Sequence, residues 1–283
     1  MDTTTPIARS TFLEFKANQT LAARNRLALI DLREGWSLLP LSMSLGWLDI
    51  RLRYRGSALG PFWLTLSTAV MVGSLGFLYA HIFQIEVAGY LPYLALSLVL
   101  CGFLAAIVSE ACTAFTDAEG VIRAVRMPFF VFAARTLIRN LLVLAHNILV
   151  IVVVFAIFLI WPGWHGLLAL PGLLLWGIDA LALTLLLGTF CARFRDILPI
   201  VASIMQIAFF VTPVIWKPGQ LGAGAVYLPL SPFYDMLQIV RAPMLGESPG
   251  LEPWLGAMVY SLLLCGVAWS FFVRARGRIA FWI

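Results

Sequence analysis

Arginine carries the most specific chemistry this chain has to offer. Arg51, Arg53 and Arg55 alternate with apolar residues inside "DIRLRYRGSALGPFW", Asp49–Trp63. A guanidinium presents a planar fork of donors that matches phosphate, so the triplet could meet a lipid headgroup or a pyrophosphate. Arg51 and Arg55, four apart, share one helix face, and Arg53 does not. The other ionisable groups are sparse. Asp179 and the pair His146-Asn147 fall inside apolar runs, and Glu110 falls at the end of one. An ionisable residue in a membrane span is a transport-site candidate; the plainer reading is a hydrogen bond between helices, worth about 1 kcal/mol.

Enzyme chemistry finds no support. The chain has no G-x-x-x-x-G-K-[ST] loop to cradle a nucleotide, no G-x-S-x-G and no H-E-x-x-H. Its 3 histidines are far apart. Its 4 cysteines (Cys101, Cys112, Cys191, Cys265) form no C-x-x-C pair, so they read as small buried hydrophobes. No metal site is expected.

The elements that must position these residues are apolar. Of 283 residues, 61% are hydrophobic and 12% charged, and the mean hydropathy is +0.95. A soluble domain carries about 25% charged residues, so the chain cannot cover itself for water. The net charge of +5 comes from residues bracketing apolar runs, which argues against nucleic-acid binding. No secretory signal opens the chain, because Met1–Gln19 lacks an apolar core.

Six stretches are long enough to cross a bilayer: 61–83, 91–109, 141–161, 167–190, 197–216 and 254–273. The fifth carries Pro199 at its start and Pro213 near its end, so it should stop or bend at Thr212-Pro213. All but two of the 19 lysines and arginines fall on one side of these spans; Lys217 and Arg241 are the exceptions. The positive-inside rule then places both termini in the cytoplasm. Residues 1–36 read as a cytoplasmic segment. Residues 37–55 read as an amphipathic interface helix lying flat on the membrane, with Leu38, Leu41, Leu45, Leu48 and Leu52 at helical spacing. Residues 56–283 form the transmembrane domain, in which Gly56–Gly60 makes a tight turn and Pro61 opens the first span. A polar inner segment, Thr113–Met127, is closed by Pro128. Between spans 5 and 6, "SPFYDMLQIVRAPMLG" predicts a short or re-entrant outer helix, with Ser231 as cap and Pro232 in its first turn. The fold class is an all-α integral membrane protein of six helices.

Aromatic residues make up 13% of the chain. Trp63, Trp161, Trp216 and Trp254 sit at span ends, as in an interfacial belt. Phe77, Tyr79, Phe83, Tyr90, Tyr93, Phe103, Phe209 and Phe210 lie in or beside spans. They either pack helices or line a path on which sugar rings stack.

Several blocks together resemble the ABC-2 type permeases that export polysaccharides such as O-antigen, capsule, teichoic acid and galactan. They are "DIRLRYRGSALGPFWLTL" (Asp49–Leu66), "EGVIRAVRMPFFV" (Glu119–Val131), "RFRDILPIVASIMQIAFFVTPVIW" (Arg193–Trp216), "SPFYDMLQIVRAPMLG" (Ser231–Gly246) and "RGRIAFWI" (Arg276–Ile283). The family often has Asn-Pro where Ser231-Pro232 stands, and Pro-Tyr-Trp-Val where Ala280–Ile283 stands. The resemblance covers nearly all of the chain from about Trp47. It implies a homodimer in the bacterial inner membrane, bound to two copies of a separate ATPase subunit that holds ATP and Mg²⁺, with no cofactor in this chain. It implies coupling to that ATPase through Thr116, Asp117, Glu119, Arg123 and Arg126. The substrate would be a glycan on polyprenyl pyrophosphate, met by Arg51, Arg53 and Arg55. A tunnel lined by Phe77, Tyr79, Phe83, Tyr93, Phe209 and Phe210 and an outer gate of Phe233, Tyr234 and Arg241 complete the expectation. Two rival readings are an ABC exporter of drugs or small lipids and an ion-coupled carrier built on Asp179. A membrane glycosyltransferase, which would need the outer charges Asp235, Arg241, Glu247 and Glu252, has little behind it.

Overall fold

The computed structural model describes residues 20–57, 59–60 and 62–283, so the reading of Pro61, and most of that of residues 1–36, lies outside the described residues. The described residues form helices and turns, with no strand. Eleven α-helices follow in order: α1 (Leu21–Ser37), α2 (Leu39–Arg53), α3 (Phe62–Ile82), α4 (Val87–Thr113), α5 (Glu119–Ala124), α6 (Phe129–Ile157), α7 (Ala169–Arg193), α8 (Ile197–Val211), α9 (Pro232–Met244), α10 (Leu251–Ala275) and α11 (Ile279–Trp282).

Five segments are long and apolar enough to cross a bilayer: α3, α4, α6, α7 with its leading 3₁₀ turn, and α10 with its continuation. The sequence led to six. The missing one is α8, which has 15 residues and ends at Val211. The cause is the expected one: Pro213 cannot continue the helix, and Thr212 already has extended backbone. Two other spans are longer than hydropathy indicates. The helix expected at 141–161 runs from Phe129 to Ile157, and the one expected at 91–109 runs from Val87 to Thr113. Arg135, Arg139 and Glu110 end an apolar window without ending a helix, since arginine and glutamate are good helix formers.

Residues 21–37 form a helix of their own, and Leu38 alone joins α1 to α2. The buried face of α2 is Ser42, Gly46 and Ile50, and not its leucines. A Cβ on Gly46 would sit 3.2 Å from the Arg135 carbonyl and 3.0 Å from Ile138, so the bare backbone is what lets α2 lie against α6. Leu41, Met43, Leu48 and Leu52 are left exposed. Gly56 and Gly60 both take positive φ, 86° and 55°, and turn the chain into α3.

Two hydrophobic cores form. The larger joins α3, α4, α6, α7, α9 and α10 around Tyr90, Leu94, Phe103, Trp176 and Ile239. The smaller lies at the arginine-bearing end and gathers Ala28, Phe115, Phe132, Leu185, Phe272, Ile279 and Ile283. It unites α1, the 114–118 turn, the start of α6 and the ends of α7 and α10. Between α8 and α10, residues 218–230 form 3₁₀ turns and 232–244 form α9, with Pro232 in the first turn as expected. The Ser231 hydroxyl does not cap that helix; its backbone carbonyl accepts from Tyr234 and Asp235 instead.

Candidate functional site

Polar chemistry concentrates at the two ends of the bundle. At the arginine-bearing end, Asp49 of α2 and Glu110 of α4 sit among the arginines of α2 and α6. Arg135 grips Asp49 with both prongs of its fork, Nε to Oδ2 at 2.7 Å and Nη2 to Oδ1 at 2.5 Å. Arg139 bridges the two acids, 3.3 Å from Asp49 and 2.7 Å from Glu110. Glu110 also accepts from Asn140 at 2.6 Å and from Arg53 at 3.3 Å. Three helices are thus tied by charge-assisted bonds, the stronger kind. This lattice was not legible as a site. Its signal was present: acids stand beside the arginines at the ends of the spans.

The expected phosphate triplet is divided by this lattice. Arg53 is bound to Glu110, whereas Arg51 and Arg55 are exposed and have no ion pair among the described residues. Of the three, these two keep their forks open, but α2 ends at Arg53 and Arg55 lies in the turn after it, so the shared helix face expected from their spacing does not form.

A second anchor lies beside it. Asp31 of α1, 1% exposed, accepts from the Phe129 and Phe130 N–H groups at 3.3 and 3.2 Å and from Arg276 at 2.9 Å. Helix α6 starts after half-buried Pro128 and is buried from Phe130, and its first N–H groups lack intrahelical partners. The carboxylate supplies those partners and complements the positive end of the helix dipole. Asp31 and Arg276 both escaped the sequence reading, because they are 245 residues apart.

From this rigid base hangs the 113–128 segment. Phe115 is fully buried against Phe129 and Phe132, and it packs on the bare backbone of Gly188. Helix α5, by contrast, buries no residue. Of the expected coupling residues, Thr116 bonds back to the Thr113 carbonyl at 3.1 Å, and Glu119 pairs with Arg123 at 2.9 Å. Arg123 also donates to the carbonyl of Ile283. Asp117 and Arg126 are exposed, as are Val121 and Val125, one turn apart.

At the opposite end the organising residue is Arg241 of α9, 1% exposed. Its Nη1 donates to Tyr93 Oη at 2.9 Å, Ser97 Oγ at 3.1 Å and the Pro213 carbonyl at 2.5 Å, and its Nη2 donates to Gln238 at 2.7 Å. The guanidinium also lies 4.6 Å from the centre of the Tyr93 ring. Tyr93 itself donates to the Pro213 and Trp216 carbonyls, and Tyr90 to Ile215. Lys217 reaches the Gly89 carbonyl at 2.8 Å. The non-helical stretch 212–216 is therefore pinned to α4 and α9. Of the expected outer-gate residues, Arg241 is buried and holds this stretch, while Phe233 and Tyr234 are half-buried. Asp235, in the first turn of α9 and outside the long spans, has its carboxyl pushed up to about 6, first by burial and then by Glu252.

The six tunnel candidates do not share one surface within the chain. Tyr79 stacks on Phe83, which meets Tyr90 edge-on. Phe77 is exposed on another face of α3, beside His81. Tyr93 is held under Arg241. Phe209 is half-buried and Phe210 exposed, their rings 5.4 Å apart. Inside the bundle, Asp179 accepts from Ser261 of α10 at 2.7 Å, and His146 uses Nδ1 on the Leu142 carbonyl. Both act as helix-to-helix or local polar contacts. Among the described residues no three His, Cys, Asp or Glu converge as metal ligands.

Comparison with known proteins agrees with this frame. The O-antigen export system permease protein RfbA of Myxococcus xanthus is 25% identical over 252 residues, covering 88% of this chain and 97% of that protein. The model of the ABC-2 type transporter family matches residues 41–245, from α2 to just past α9. With well over half of its length matched, this multi-pass membrane protein belongs to the ABC-2 type transporter family.

Proposed function

We propose that the chain is the permease subunit of an ATP-driven exporter that moves a glycan on polyprenyl pyrophosphate out of the cytoplasm, across the inner membrane of a bacterium. The observation that carries this reading is the 113–128 segment: a short exposed helix fixed at its root by buried Phe115 and by the paired helix ends around it. Such a lever transmits a push from an outside partner into α4 and α6. The partner is an ABC ATPase subunit, two copies per permease homodimer, which holds ATP and Mg²⁺. Its differing affinity for two permease states drives the change. The name of the Myxococcus relative supports O-antigen-like glycan as cargo.

The charge distribution supports a cytoplasmic location for the arginine-bearing end. There α2 lies flat, with its exposed leucines in the membrane surface. Helix α8 together with 212–216 makes the sixth crossing. Helices α3 and α8 supply the contact between protomers, because each buries little within the chain: Val72, Gly76 and Ala80 on α3, and Met205 on α8. The pyrophosphate enters near Arg51 and Arg55.

Two experiments test the reading. Val121→Asp with Val125→Asp abolishes co-purification of the ATPase and leaves the melting temperature of the isolated permease unchanged; undiminished co-purification removes α5 as the docking lever. Arg51→Gln with Arg55→Gln leaves assembly and ATP hydrolysis intact and cuts export at least tenfold. Normal export by this variant means that the arginines set topology alone.

A further inference from the structure

A groove of about 350 Å³ runs between α6 and α7 on the half of the bundle away from the arginine lattice. Leu100, Leu144, Ile151, Phe155, Leu173 and Val240 form its floor and walls, and of all its lining side chains only Trp161 carries a polar atom. Ile148 and Val152, on its rim, are exposed. It therefore opens on the wall that faces lipid. We propose that this groove is a binding site for one acyl chain of a phospholipid, drawn from the leaflet on the Trp161 side.

Size and setting agree on that occupant. The lining follows α6 from Leu144 to Ala156, about 18 Å at a rise of about 1.5 Å per residue. One leaflet contributes about 15 Å of hydrocarbon, so the groove spans one leaflet and stops near the midplane. A methylene is close to a water in size, about 30 Å³, so the volume holds about a dozen methylenes. That is one fatty chain, and far less than a polyprenyl tail of many isoprene units. At its outer end the chain leaves the groove beside Trp161 and Trp164, 86% and 85% exposed, with His165 in the same 3₁₀ turn. Paired tryptophans at this level are the usual mark of the headgroup region. Helix–helix contact leaves this space unfilled, and a void lined by apolar side chains forfeits their dispersion contacts unless something apolar enters. The inference rests on membrane crossing alone and stands whatever the exporter carries.

The test uses the full chain reconstituted in phosphatidylethanolamine vesicles containing a phosphatidylethanolamine with a diazirine in mid-chain. After irradiation, adducts fall on peptides covering 144–173 at least about fivefold more than on α10, whose Leu255, Val259, Leu262 and Leu263 are exposed. Ala156→Phe, whose new ring enters the groove from its exposed rim, brings that labelling down to the level of α10. Leu173→Trp fills the groove from the α7 side and gives the same result, so a folding defect in one variant does not obscure the answer. Labelling spread evenly over all lipid-facing helices, or unchanged by both variants, overturns the proposal. So does displacement of the label by equimolar polyprenyl phosphate, which assigns the groove to a prenyl tail. Protomer-to-protomer crosslinks at Ile148 or Val152 also overturn it, since they make the groove an interface between copies.

Discussion

The two ends of this bundle hold themselves together by opposite means. At the arginine-bearing end, Asp49 and Glu110 share Arg53, Arg135 and Arg139, and Asp31 holds Arg276 and the start of α6. Asp49, Glu110 and Asp31 each have more than one donor, and every arginine in the lattice has an acid. At the other end, one buried arginine bonds only uncharged groups: a phenol, a hydroxyl, an amide and a carbonyl. The first arrangement is redundant. The second depends on a single residue. In the proposed exporter, a base that transmits force would benefit from redundancy, and a closure that opens would benefit from having one pin.

The largest expected effect follows at the pin. Arg241→Met leaves the Ser97 hydroxyl and the Gln238 amide oxygen without their donor, the Pro213 carbonyl with Tyr93 alone, and Tyr93 without its cation. Unmet buried polar groups cost roughly 1–3 kcal/mol each, so the loss is about 3 kcal/mol or more, read as a lower melting temperature of the purified protein. Arg241→Lys does not restore it, because one ammonium on a flexible stem cannot span Pro213, Ser97 and Gln238 together. In vesicles, Arg241→Met also leaks a small hydrophilic dye without ATP, because 212–216 is no longer held. If Arg241→Lys matches the wild type in both assays, the arginine is mere packing and the contrast between the two ends collapses.

The lattice should yield less to a single change. Asp49→Asn strips Arg135 of its acid, yet Glu110 still holds Arg139 and Arg53. The cost is about 1.5–3 kcal/mol, the range for hydrogen bonds to charged groups. Adding Arg135→Gln removes the arginine left unpaired. The double variant is then more stable than the sum of the two singles by about 1 kcal/mol, a double-mutant cycle read by thermal or denaturant unfolding. Strict additivity would mean that the bidentate pair is idle.

How much of this was legible in the sequence differs between the ends. The apolar runs located all five long helices, two of them too short, and Pro213 marked where the fifth stretch stops. Hydropathy failed at Arg135, Arg139 and Glu110, because it scores each residue against lipid and cannot see that Asp49, 86 positions from Arg135, neutralises it. The same blindness hid Asp31. It also left the protein-facing side of α2 unread, where the leucine stripe is conspicuous but Ser42, Gly46 and Ile50 face the protein; a small residue that permits close approach has no hydrophobic signature. Of the named site residues, Arg241 was read as one of the outer charged groups, with no sign of its burial. No local pattern tells a surface arginine from one sunk among Tyr93, Ser97 and Gln238.

The smallest effect sharpens the contrast from the acid side. Asp235 is the buried carboxylate at the end otherwise held by neutral partners, and its Oδ1 has no hydrogen-bond partner. Its folded pKa of about 6 lies above the ordinary 3.8, so the folded protein binds that proton more tightly than the unfolded chain does. The stability this lends is fully present below pH 4 and is lost as the pH rises through about 6. Asp235→Asn keeps the shape beside Gly256 and removes the charge. It flattens the pH dependence between about 4 and 6.5 and raises stability at neutral pH by about 1 kcal/mol, less than the roughly 3 kcal/mol of the full shift because solvent screens part of the charge. Melting curves across that range read it directly. Parallel curves for wild type and variant would mean that Asp235 is solvated and that this end tolerates charge as readily as the other.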